Sequence, residues 1–437
     1  MFNKTKYMKN YLRKEDGVAL PITILILVVM GGLAIVATQW STQDVERTEK
    51  YYKTREAFYI AEAGVQQAID LMNYDSSGNS PGDEIAAGGF DNVLSNFISN
   101  NSSQLSNVSF ADGTFNVTVT DNDDNDGDTS DDDDNTLIIT SVGTKGDYSV
   151  TLEAIVTRRL FKGDNAITTQ GDLGGNGSFT VGGTNGSIHS NSEVTISGGS
   201  ATITQGATAT GSCTGTGCVS GGVAPEDIPI VEPSDYKSYA DYILKSDGTI
   251  QEVSSGNIYT FTSPGGGHWS TSTTGDGDAL FDGLRLQSGV WKASSSTITD
   301  GMFYVEGDFS TTGCPAGWQT TIIAEGYINF GGNADVANYK DANDTADIQN
   351  LFLVAGTDIE FSGNPSNTIQ GMMAAKDQLS ISGTVSLEGF LVAADVGTSE
   401  NLVTSNDIGG SLTVVYNGDS VAPFLSNKVS VIAWQET

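Results

Sequence analysis

The chain has 437 residues, with 20 Lys plus Arg against 54 Asp plus Glu, a formal charge of −34. That balance repels a phosphate backbone and excludes nucleic acid as a partner of its surface. It suits solubility and divalent-cation binding instead. The 53 glycines against 9 prolines point to short strands separated by tight turns, and the length predicts two or three domains.

The first element follows a basic leader. Lys4, Lys6, Lys9, Arg13 and Lys14 precede Val18 to Thr38, a run with no ionisable side chain. About 20 such residues cross a bilayer as a helix. The flanking positive charge holds the N-terminus in the cytoplasm, so everything after Trp40 lies outside it. Beyond the membrane Ala57, Ile60, Ala61, Gly64, Val65, Ala68, Ile69 and Met72 recur at three- and four-residue steps. One helix from about Val18 to Met72 would be roughly 80 Å long at ~1.5 Å per residue. Its second half should pack one stripe on a globular head.

The small residue Gly17 stands before the apolar run, where a secretory signal has its small-residue site after a shorter one. With the GVALPI start and the segment Arg55-Glu-Ala-Phe-Tyr-Ile-Ala-Glu-Ala-Gly-Val-Gln-Gln-Ala68, the chain resembles type IV pilins with a PilX-type N-terminus over residues 14 to about 72. The resemblance implies cleavage by a prepilin peptidase between Gly17 and Val18. It also implies residence in the inner membrane, then docking against other pilin subunits in a filament at the cell surface. Most major pilins carry Glu at the fifth mature position; here that position is Ile22, which the resemblance associates with minor or tip subunits. Pro21 falls in the first turn, where its missing N–H costs little.

Next in the chain, Phe90 to Ser99 reads as a second helix. Thr114–Thr120, Leu137–Val142 and Tyr148–Thr157 read as strands, the last two joined by a hairpin at Gly143 to Asp147. These would form a pilin-like head over 73–160. From 161 to 225 short β segments alternate with Gly or Asn, and the texture returns in 246–437, as in Tyr327-Ile-Asn-Phe-Gly-Gly and Gln378-Leu-Ser-Ile-Ser-Gly. The expected fold is α+β, mainly β. Its Gly-rich body is expected as a parallel β-helix, with a β-sandwich as the alternative. Between the blocks, residues 226–245 read as a proline-spaced linker and a helix from Ser234 to Leu244, N-capped by Ser234. The tail from Val429 to Thr437 resembles the ends of large PilX-type pilins.

The densest polar cluster is the loop 121–134. Aligned on Gly127, the residues Asn122, Asp124, Asp126, Asp128, Ser130 and Asp133 approach a calcium-loop pattern, departing at Asn122 and at Asp133 where a bidentate Glu is usual. Cys213 and Cys218 flank Thr-Gly-Thr-Gly and are expected to form a disulfide outside the cytoplasm; Cys314 is left over. His189 reads as a surface or ladder residue and His268 as a loop residue, with no triad or HExxH pattern around either. Trp269, Trp291 and Trp318 read as core or rung aromatics in preference to sugar-stacking residues. The sequence thus predicts a non-enzymatic minor pilin-like subunit that takes part in pilus assembly and presents an adhesive surface. The alternative is a membrane-anchored β-helical adhesin or carbohydrate-binding protein never assembled into pili. If calcium offsets the repulsion in loop 121–134, it should protect the chain between Val119 and Leu137 from proteolysis; equal cleavage in calcium and in chelator would exclude that role.

Overall fold

The computed structural model describes residues 19–74, 82–122, 132, 134–259, 280–332, 334–340, 348, 350–397, 402–418 and 424–437. Its first element is a single helix, α1 (Ala19–Asn73). Residues 19–52 are exposed, and their apolar run is long enough to cross a membrane. The buried residues of α1 run from Ala57 to Met72 at the three- and four-residue steps expected of a packed stripe.

That stripe lies on an antiparallel sheet of β1 (Val108–Phe110), β2 (Gly113–Asp121), β3 (Thr136–Lys145), β4 (Tyr148–Leu160) and a closing strand, Leu425–Glu436, in that order. Leu137, Ile139 and Ser141 face inward at every second position of β3. Two glycines permit the close approach. A Cβ on Gly143 would lie 2.2 Å from the Ala57 carbonyl oxygen, and one on Gly64 would lie 2.3 Å from Ser141 Oγ. Helix and sheet backbones therefore nearly touch.

Three expectations need correction here. The second helix, α2 (Asp83–Asn92), starts ahead of Phe90 and continues through a π-turn at Val93–Phe97. The paired glycines before Phe90 disfavour helix locally. Tertiary anchoring overrides them: buried Glu84 accepts from Asn101 Nδ2 at 3.1 Å, and its carbonyl accepts from Asn92 Nδ2 at 3.0 Å. The linker helix is only a 3-10 turn, Pro233–Tyr239, without a side-chain cap from Ser234. Tyr242–Leu244 is a strand because Phe303–Val305 on one side and Ile250–Glu252 on the other offer it ladders. The tail belongs to the head: the closing strand pairs antiparallel with β4, from Leu425 on Leu160 to Glu436 on Leu152.

The rest of the body consists almost wholly of parallel ladders on three sheets, and the chain visits the sheets in turn. Ile167–Thr169, Leu173–Gly175 and Thr180–Gly182 form the first circuit. Successive circuits stack on one another: Ile167 lies on Ile188, and Ile188 on Ala207. Strands of the second sheet alternate, as in buried Ile359, half-buried Glu360 and buried Phe361, because one face looks into the stack. First-sheet strands such as Leu351–Ala355 are buried throughout, which explains their unbroken apolar runs. Phe309, Phe330 and Phe361 pack in succession with ring centroids 5.7 and 5.3 Å apart. Trp291 and Trp318 are buried, donating to the carbonyls of Lys245 and Thr299.

The blocks 161–225 and 246–437 are therefore not separate bodies. The last circuit lies on the first, with Leu391 on Ile167, Asn406 on Leu173 and Thr413 on Thr180. Backbone ladders and buried apolar side chains on both sides of this seam join them. From the packing of α1 we expect Gly64→Val to lower head stability by about 1–3 kcal/mol. Gly31→Val, where a Cβ meets nothing within 4 Å, should leave it unchanged; thermal melts of the detergent-solubilised chain check both.

Candidate functional site

Chain entry and exit cross side by side at the base of the body. Phe161 N donates to the Phe424 carbonyl at 2.8 Å, and the two rings stack at 5.5 Å. A cleft opens next to this neck, between α2, β4 and the closing strand on the head side and residues 230–239 on the body side. It has two lobes of about 390 and 400 Å³ that share Arg158, Ile230, Glu232, Asp235 and Leu425.

Arg158 forms the floor. Its Nε donates to the Ser426 carbonyl at 3.0 Å, its Nη2 donates to Asn427 Oδ1 at 3.3 Å, and its guanidinium lies 5.9 Å over the Phe90 ring. Gly89 adopts φ +67°, and a Cβ there would come within 2.9 Å of Arg158 Nη1. Burial is the main influence on Arg158 and lowers its pKa, while Asp132, Asp227 and Asp235 oppose that shift. Asn427 is 3% exposed, and its Nδ2 has no acceptor among the described residues.

Carboxylates line the walls. Asp91 Oδ1 accepts from the Asp132 backbone N–H at 3.0 Å, and Asp132 Oδ1 accepts from Thr136 N at 2.9 Å. Burial, reinforced by Asp134, Asp121 and Asp91, pushes the Asp132 carboxyl up to about 6. Burial also raises Asp235, with Glu232 adding to it. Glu232 is ion-paired with Lys376. Tyr239 stands at the rim, 57% exposed.

Residues 226–237 act as a strap along the first sheet. Glu226 N donates to Asn191 Oδ1 at 2.8 Å, and Asn191 Nδ2 returns a bond to the Glu226 carbonyl at 2.9 Å. At its far end Lys237 pairs with Glu306 at 2.8 Å and lies over the Tyr304 ring. His189 is buried beneath the strap as a ladder residue, its ring nitrogens 2.9 Å from Thr208 Oγ1 and Asn191 Oδ1.

The residues singled out from sequence are scattered. Pro21 and Ile22 lie in the exposed first turns of α1, while Gly17 and Val18 fall outside the described residues. Of the calcium set only Asn122 is described, donating from Nδ2 to Asp134 Oδ2 at 3.0 Å; Asp124, Asp126, Asp128, Ser130 and Asp133 lie outside the described residues, as do His268 and Trp269. Cys213 and Cys218 are disulfide-bonded at the end of the body, and Cys314 is a buried free thiol whose burial pushes it up to about 11. The cleft itself was missed. Its residues come from segments some 340 positions apart, from Ile85 to Asn427, and no local spacing joins them.

No family model and no curated protein matches the sequence. Among solved structures, the competence-associated pilin ComZ from Thermus thermophilus is similar at 14% identity and a TM-score of 0.30, over 88% of this chain and 98% of that one.

The raised Asp132 carboxyl makes a pH-dependent contribution of definite sign. Between about 4 and 6 the folded state binds more protons than the unfolded one, so stability falls as pH rises through that window. Asp132→Asn keeps the oxygen that accepts from Thr136. It should raise the melting temperature at pH 7.5 by the equivalent of about 1 kcal/mol, discounted for solvent screening, and do little at pH 4. Equal effects at both pH values would refute the assignment.

Proposed function

We propose that this chain is a minor, tip-located subunit of a type IV pilus-like filament, of PilX-like type. A prepilin peptidase removes residues 1–17, and the exposed apolar half of α1 docks among other pilin subunits after leaving the inner membrane. The body, read as a parallel β-helix, is displayed outward for adhesion and carries no enzymatic activity. Calcium in loop 121–134 belongs to the same reading, supported by the density of carboxylates in the sequence of that loop.

One observation carries the proposal. A single helix is exposed and apolar over its first half and buried by small residues against a sheet over its second. An exposed membrane-length segment rigidly continuous with a head suits transfer from bilayer to filament, since both surroundings bury the same apolar surface. The bulk of the body favours an end position, where neighbours do not crowd it, and Ile22 agrees with it.

Intact-mass analysis of the purified chain tests the reading. A mature N-terminus at Val18 is expected. Retention of Met1, or cleavage beyond Thr38, would instead favour an anchored or secreted adhesin that never enters a pilus.

A further inference from the structure

The geometry points to the cleft between head and body as a binding site for a neutral saccharide. The floor offers a donor in need of an acceptor: Arg158 Nη1 makes no described hydrogen bond. An incoming oxygen would supply that acceptor. The walls offer acceptors, Asp91 and Asp235, and the rim offers the exposed ring of Tyr239.

Charge narrows the ligand. Asp91, Asp132 and Asp235 outnumber the single guanidinium, because Glu232 is neutralised by Lys376. An anion would meet that field and is disfavoured. A simple cation would meet the guanidinium on the floor. A sugar hydroxyl both donates and accepts, so one neutral ring can bond the carboxylates and Arg158 together. Its C–H face can lie on Tyr239 while the polar edge turns inward. Each lobe is near the lower end of the ~300–1,000 Å³ typical of small-molecule sites, the scale of one or two sugar rings.

This inference names a ligand class for the displayed surface and rests on that display. A purified full-length chain in detergent tests it without pili, so failure here leaves the processing and assembly reading standing. Saturation-transfer NMR would be run with maltose, cellobiose, lactose and, as the charged control, glucuronate. At least one neutral disaccharide should show transfer, and glucuronate none. Tyr239→Ala, at an exposed position, should weaken binding at least tenfold while circular dichroism and melting temperature stay unchanged, and Asp235→Asn should weaken it likewise with an unchanged circular dichroism spectrum. No transfer to any neutral sugar, equal transfer to glucuronate, or binding indifferent to both substitutions would overturn the assignment.

Discussion

The ladder between β4 and the closing strand Leu425–Glu436 governs the architecture. It obliges the chain to return to the strand it left at Leu160, so both ends of the body must lie at one place. A solenoid wound in one direction would leave its ends far apart. Here the chain starts in the middle, winds outward to Cys218–Gly221, crosses back along the stack and winds inward again. The first and last circuits then become neighbours, and the seam Leu391 on Ile167 follows from the closing strand.

A seam between parallel strands remote in sequence has no hairpin to hold it, so side chains must reinforce its backbone ladders, such as Leu391 N donating to the Ala166 carbonyl at 2.9 Å. Apolar residues supply the inside, and Phe161, Phe390, Phe424 and Tyr416 cluster beside it with ring centroids 5.1 to 6.0 Å apart. The strap supplies the outside. Glu226 is tied to Asn165 and Asn191 on one side of the seam, and Glu232 to Lys376 on the other. Burial raises the pKa of Glu226, and the neighbouring His189 opposes it. The crossing segment thus connects the two runs in the chain and clamps them in space.

The cleft is a by-product of the same return. Arg158 sits where β4, the closing strand and the strap converge, and its partners Ser426 and Asn427 arrive only because the chain comes back. A guanidinium removed from water needs compensation, and the ring of Phe90, two oxygen acceptors and surrounding carboxylates provide it. The head contributes a rigid floor through the close helix–sheet contact at Gly64 and Gly143. A cleft between two bodies joined by paired chain crossings is better held than one on a single linker.

The sequence by itself determined the elements whose signal is local. The span to Thr38, the stripe from Ala57 to Met72 and the alternation in Thr114–Thr120 follow from the periodicity with which a helix or strand presents its side chains. The β-rich texture of both Gly-punctuated blocks was equally legible. What joins them was not: strand pairing carries no local mark, so the seam, the closing strand and the neck were settled by packing between distant segments. Tyr242–Leu244 was misread because ladders on both flanks outweigh a helical spacing, and the helix over Phe90–Ser99 starts earlier than expected because a buried Glu84 outweighs a glycine pair. The cleft was decided by tertiary structure alone, since its burial and charge balance exist only once residues 85 and 427 share one space.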